Sequence, residues 1–285
     1  MKKVLSFLLI LLLTISIQAQ KKPAYSLFNK KGKKVSYKKM LKKLAEADVV
    51  LFGEHHNNPI THWLQFETTK DLQSIRDIVV GFEMLEADNQ QQLDLYMNDS
   101  INQKAFDTVA RLWPNYKTDY KPIVDFAKKH NVKAVATNVP RRYARKIFKG
   151  GFKSLDTLPA LDKSWIAPLP ILYDANLPGY VKMKAMMGGH GGDNLPKAQA
   201  IKDATMAHFL LKNLKENQLF IHYNGSYHSD NYEGIYWYLK KHKPELKIVT
   251  ITTEEQEGNA KNFNKENKNK ADFIIQVVAS MTKTY

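Results

Sequence analysis

The sequence predicts an α/β protein, built on a mostly parallel sheet flanked by helices, with a small helical or irregular subdomain or cap. Three observations carry that expectation. Short apolar runs alternate along the chain with longer amphipathic stretches. The runs are nearly continuously apolar rather than alternating, as strands buried on both faces must be. One stretch, 149–194, interrupts the alternation with paired glycines and scattered prolines.

Taken in order, the strand candidates are 49–53, 78–83, 133–137, 218–223, 246–252 and 273–278, all rich in Val, Ile and Phe. Helical patterns fall at 37–46, 59–74, 89–97, 119–130, 140–148, 195–216 and 231–241. Asn58 followed by Pro59 reads as an N-cap and first helical residue, and Pro140 suits a second helix start. Asp230 with Glu233 resembles a capping box opening the helix at 231. The interruption at 149–194 carries Gly150-Gly151, Pro159, Pro168, Pro170, Pro178 and a glycine run around His190, and reads as a cap or lid. The polar, Asn- and Lys-rich segment 254–270 reads as an exposed loop.

The chain has 285 residues. Residues 1–19 form an expected signal peptide: Lys2 and Lys3, an apolar run from Val4 to Ile17, and a small-residue cleavage site ending at Ala19. The run is shorter than the roughly 20 apolar residues a membrane span needs. The expected product is one domain over 20–285, periplasmic or secreted. The sequence contains no cysteine. That excludes disulfides, thiolate catalysis and a Cys-anchored lipoprotein.

Lys and Arg number 43 against 28 acidic residues, a net of +15 that falls to +13 without Lys2 and Lys3. No nucleic-acid recognition motif accompanies the charge, so no nucleic-acid partner is expected and most lysines read as solvated surface.

Ligands of open parallel sheets bind outside the carboxyl ends of the strands. Four strand ends carry chemistry. The first runs into Gly53-Glu54-His55-His56-Asn57, where three ionisable groups share one turn, suited to metal ligation or proton transfer. The second closes on Glu83, too costly to bury without a cation or donor. The third ends at Asn138 before Arg141 and Arg142, whose place in a first helical turn suggests a bound anion. The fourth reaches His228, in a Gly225-x-x-His228 echo of Gly53-x-x-His56. His222, inside the strand, reads as a core histidine. On the helix at 195–216, Gln199, Asp203 and Met206 share a face and form a candidate wall. Met183, Met186, Met187 and His190 are soft ligands on a glycine-rich loop, and Tyr173 and Tyr180 lie nearby.

From these residues the chemistry reaches a metal or acid/base site on an exported α/β fold. A resemblance goes further. Val50-Leu51-Phe52-Gly53-Glu54-His55-His56 resembles the opening motif of the ChaN-like haem-binding uptake proteins. Phe82-Glu83-Met84, Asn138-Val139-Pro140-Arg141, the run from Ala198 to Ala207, and Asn224-Gly225-Ser226-Tyr227-His228 match further along. The resemblance implies an α/β core with a small helical subdomain and haem binding linked to iron uptake. It also implies a homodimer with paired haems, and an outer-membrane haem or iron transporter as partner. The cofactor-binding residues expected on this reading are Glu54, His55, His56, Asn138, Arg141, His190, Gln199, Asp203 and His228. The same core is similar to Tiki proteases and erythromycin esterases. That similarity implies an alternative: a metal-dependent hydrolase holding a divalent ion with His56, Glu83 and His228, the same three being its catalytic groups. A non-enzymatic haem binder is the favoured expectation.

Overall fold

The computed structural model describes residues 22–186 and 192–285. The expected signal peptide, Met187 and His190 lie outside the described residues.

Seven strands form one sheet: β1 (Tyr25–Asn29), β2 (Val49–Glu54), β3 (Ile78–Glu86), β4 (Lys133–Asn138), β5 (Leu219–Gly225), β6 (Ile248–Gln256) and β7 (Phe273–Val278), in the order β1-β7-β6-β2-β5-β3-β4. All neighbours pair in parallel except β1, which runs antiparallel to β7. The mostly parallel α/β fold expected from the sequence is therefore present. The antiparallel edge strand β1 was not expected. It is short and flanked by lysines, so its apolar Leu27 and Phe28 stand out less than the central runs do.

The continuous apolar runs have a simple origin. In β2, Val50 and Phe52 enter the core on one face of the sheet, while Val49 and Leu51 enter a second core on the other. The first core is covered by α1 (Tyr37–Ala45), α2 (Pro59–Gln73), α3 (Gln90–Met97), α4 (Gln103–Val109) and α5 (Lys121–Lys129). The second is covered by α6 (Arg141–Gly150), α9 (Asn194–Asn213) and α10 (Ile235–His242). Between α6 and α9 the described residues form short helices, among them α7 (Ala160–Lys163) and α8 (Pro178–Met186); Leu155, Ile166 and Ile171 of this stretch enter the second core, and Tyr180 is buried too.

Asn58 caps α2 as expected, its side chain accepting from Thr61 N at 3.1 Å, with Pro59 in the first position. Two local expectations fail. The capping box at Asp230 does not form: Asn231 and Tyr232 adopt left-handed backbone angles, and α10 begins only after Gly234. Asp230 instead pairs with Lys270, and Glu233 accepts the Gly179 N–H at 2.7 Å. Residues 254–256 are not loop, for β6 continues through Gln256 against β7.

Candidate functional site

The carboxyl ends of β2, β3, β4 and β5 meet at one rim, and the expected strand-end residues meet there with them. Their arrangement divides into two linked clusters, one around each Gly-x-x-His histidine.

His228 sits in the turn after β5 and is 6 % exposed. Its Nε2 lies 3.1 Å from Glu83 Oε1, and its Nδ1 lies 2.5 Å from Asp203 Oδ1. Glu83 is closed on its other side by the Gly225 N–H, donating to Oε2 at 2.6 Å. Burial opposes charge on the imidazole, but Glu83 and Asp203 overcome it and push the His228 pKa up to about 10. Burial likewise opposes the Glu83 carboxylate, and the His228 charge and the Gly225 N–H hold it well below the usual carboxylate range. Burial raises Asp203, with His228 pulling it back. The result at neutral pH is an imidazolium donating from both ring nitrogens. Gln199 reaches the same Nδ1 at 2.9 Å, so the shared helical face expected for Gln199 and Asp203 does point at His228. With Nδ1 protonated, the amide oxygen is the end able to face it.

His56 sits in the turn after β2, with about a third of its side chain exposed. Its Nδ1 lies 2.8 Å from Glu54 Oε1. Glu54 is fully enclosed and accepts from Tyr120 Oη at 2.7 Å and from Gln65 Nε2 at 2.6 Å as well. Burial raises Glu54, but the His56 hydrogen bond and His62 leave its pKa lowered. An ionised Glu54 can only accept, so His56 Nδ1 carries a proton. Burial lowers the His56 pKa, and the Glu54 bond and the Glu83 charge raise it to a net upward shift. Among the described residues Nε2 of His56 has no hydrogen-bond partner. The ring meets Trp113 edge-on at 4.8 Å.

The two clusters touch at Gly225. A Cβ there would lie 2.8 Å from His56 Nε2 and 3.6 Å from Glu83 Oε2. The Glu83 distance is an ordinary contact, but only a residue without a side chain leaves His56 room to lie so close.

Two cavities open at this rim. One of about 840 Å³ is walled by His56, Glu83 and His228 on one side and by Leu112, Trp113 and Val139 on another. Arg111, Arg141, Arg142 and Lys202 supply its cations. Arg111 and Arg142 are spent on Asp88, and Arg111 also on Glu86. Among the described residues Arg141 and Lys202 have no ion-pair partner. Asn138 lines the wall too, its Nδ2 donating to Glu83 O at 2.9 Å. It braces β3 and does not cap α6. The second cavity, about 480 Å³, lies against Glu54, His55, His56, Gln199, Tyr227, His228 and Tyr285. Burial lowers the His55 pKa.

His222 is fully buried between Thr137 Oγ1, 2.8 Å from Nε2, and Asn224 Oδ1, 3.1 Å from Nδ1. Burial presses its pKa down to about 4, as befits a neutral core histidine. Tyr180 is buried and stacks on Tyr173, with ring centroids 5.4 Å apart. Met186 is 73 % exposed on α8. Among the described residues no group of three His, Asp or Glu side chains is arranged to hold a metal ion.

Several site residues gave no sequence signal. Trp113 and Arg111 come from an irregular connection, Lys202 from a helix with many lysines, and Tyr120 from a π-helical turn (Tyr116–Tyr120). His62 and Gln65 lie one turn apart on α2. That spacing beside the Glu54-His55-His56 turn was the only available hint.

A model of the haem-binding uptake family (Tiki superfamily, ChaN) matches residues 40–239. The chain belongs to that family. Among solved structures, the haem-binding uptake fold recurs in ChaN of Campylobacter jejuni, a structure with cofacial haem binding. It has a TM-score of 0.66 at 20 % identity, with 90 % of this chain and 97 % of that chain covered. The C-terminal region of Pasteurella multocida toxin, with a thiol-protease-like catalytic triad, superposes at a TM-score of 0.45 and 13 % identity over 77 % of this chain and 25 % of that one. Protein RETICULATA-RELATED 5, chloroplastic, of Arabidopsis thaliana is 25 % identical over 126 residues, 41 % of this chain. The match spans 17 % of that plant protein's length.

Proposed function

We propose that this chain is a haem-binding protein of iron uptake and that the larger rim cavity takes the haem. The observation that carries this reading is the cavity's chemistry. Its volume of about 840 Å³ lies in the range of cofactor sites. Leu112, Trp113 and Val139 offer apolar wall for a porphyrin face, and Arg141 and Lys202, without an ion-pair partner among the described residues, offer charge for its carboxylates.

The donor set fits as well. His228 has both nitrogens engaged by carboxylates, which disqualifies it as an iron ligand without rearrangement. His56 has Nδ1–H held by Glu54, and its Nε2 has no partner among the described residues. A carboxylate-fixed imidazole of this kind is how proteins commonly present histidine to a metal. His56 would therefore face the iron, and Glu54 would set its tautomer. Bound haem supplies iron for transport, and the protein's task is to enclose and release it. Glu83, Asn138 and His228 line that cavity, and Gln199 and Asp203 hold His228 in place behind it. His55, in the second cavity, remains a candidate for contact, as does His190, which lies outside the described residues. Export after cleavage at Ala19, a homodimer, and hand-over to or from an outer-membrane transporter complete the proposal.

A titration of the purified mature protein with haemin, followed by Soret absorbance, tests this reading. Saturable binding that His56→Ala weakens more than His190→Ala or His228→Ala supports it. No saturable change in the wild type sinks it. The alternative, a metal-dependent hydrolase on His56, Glu83 and His228, has these three at one rim but needs His228 released from Glu83 and Asp203 before they could share an ion. It predicts chelator-sensitive hydrolysis lost in His56→Ala, and no haemin titration.

A further inference from the structure

Residues 283–285 lie across the His56 turn, far along the chain from it and outside the segment 40–239 that defines the family. Three contacts hold them there. The Thr284 N–H donates to Asn57 O at 3.1 Å. The Thr284 hydroxyl donates to Asp119 Oδ2 at 2.9 Å. Lys283 pairs with Glu255, whose Oε1 also accepts from Asn58 Nδ2 at 3.3 Å. Tyr285 then forms part of the wall of the second cavity, beside His55 and His56.

The contacts converge on the backbone that carries His56. Asp119 is 3 % exposed and accepts from Asn115 Nδ2 at 2.6 Å. Asn115 Nδ2 also donates to His56 O at 2.8 Å, and His62 Nε2 lies 3.1 Å from that oxygen. The peptide carbonyls of His56 and Asn57 are thus both held by donors from outside the turn. One comes from 284, and the others come from residues that Asp119, itself bonded to 284, keeps in place.

We infer that residues 283–285 are a strap that positions His56, with Thr284 the positioning residue. The inference rests on the reading that His56 faces haem. Ionic contact and one backbone bond would hold a merely docked segment. The Thr284 hydroxyl on a buried carboxylate adds a specific link into the network behind the site. Without it Asp119 keeps fewer donors, and Asn115 and the His56 carbonyl lose a fixed reference.

The test is a set of haemin titrations and urea melts on the full mature chain, with Thr284→Val, Thr284→Ser, Tyr285→Ala and a remote control, Arg76→Ala. Arg76 donates to Ala45 O and Ala47 O near the opposite end of the sheet, so its loss destabilises the fold without touching the rim. Thr284→Val should weaken haemin binding about fivefold, the equivalent of one buried hydrogen bond, and Thr284→Ser should restore it. Hydrogen exchange at the Asn58 and residue-284 amides, which donate to His55 O and Asn57 O, should quicken in Thr284→Val and recover in Thr284→Ser. Arg76→Ala should leave haemin affinity and those amides unchanged. Tyr285→Ala should leave haemin affinity and the melt unchanged, because Tyr285 lines the second cavity and not the one assigned to haem. Equal haemin affinity and equal exchange in Thr284→Val and the wild type would overturn the strap. Absence of haemin binding in the wild type would overturn the proposed function instead, and the exchange arm would still decide the strap.

Discussion

Gly225→Ala gives the sharpest test of the site's geometry, because two physical effects predict opposite signs. Gly225 has φ −56 and ψ 138, a backbone conformation any residue adopts. On backbone grounds alone, alanine there should stabilise the protein by about 0.4–1 kcal/mol through the unfolded state. The site predicts otherwise. The new Cβ would meet His56 Nε2 at 2.8 Å and Cε1 at 3.0 Å. The ring can relieve this only by rotating off Glu54, giving up a 2.8 Å bond to an ionised acceptor. Hydrogen bonds to charged groups are worth roughly 1.5–3 kcal/mol. The net expectation is a loss of about 1–2 kcal/mol. It should come with roughly tenfold weaker haemin binding, the usual scale for disturbing a metal ligand's support. The assay is urea denaturation at pH 7 of Gly225→Ala, His56→Ala and the double variant. In the His56→Ala background the clash has gone, so Gly225→Ala should become neutral or stabilising. An equal cost in both backgrounds would refute the close approach of Gly225 and His56 as the reason for glycine.

Other expectations follow from the same network. Glu83→Gln leaves His228 facing one carboxylate and should cost about 3–5 kcal/mol in a urea melt, as broken buried ion pairs do; a loss under about 1 kcal/mol would contradict the ion pair. The pH dependence has a definite sign. His228 is raised to about 10, so its contribution is complete below the ordinary histidine pKa and is lost as pH climbs through about 10. Glu83 is lowered, so its contribution is present above the ordinary carboxylate pKa and is lost as acid protonates it. Urea midpoints measured across pH should therefore decline at the alkaline end in the wild type and stay flatter there in Asp203→Asn. Arg141→Ala and Lys202→Ala should each weaken haemin binding by about three- to tenfold and reduce its salt sensitivity, with stability unchanged. Gly234→Ala should destabilise by at least about 1–3 kcal/mol, because φ is +54 and a Cβ would collide with His228 O.

The sequence by itself determined six of the seven strands, because central strands must be apolar on both faces and so read as short apolar runs, whereas the edge strand β1 does not. It also placed Glu54, His56, Glu83, Asn138 and His228 at strand ends, since topology sends every carboxyl end of a parallel sheet to one rim. Helical spacing on α9 brought Gln199 and Asp203 to His228 in the same way. These are local periodicities, and local periodicity is legible. The tertiary structure alone decided which histidine is engaged by two carboxylates and which keeps a nitrogen free. Nothing in two Gly-x-x-His copies distinguishes them; Asp203 reaches one and Tyr120 with Gln65 braces the Glu54 beside the other. Tyr120, Trp113, Asp119 and Thr284 come from irregular or distant segments, where no period links residue to site. The β1 edge and the backbone after Asp230 were likewise set by pairing partners far along the chain, Phe273–Val278 and Lys270, so the capping residues at Asp230 and Glu233 were drawn to other partners.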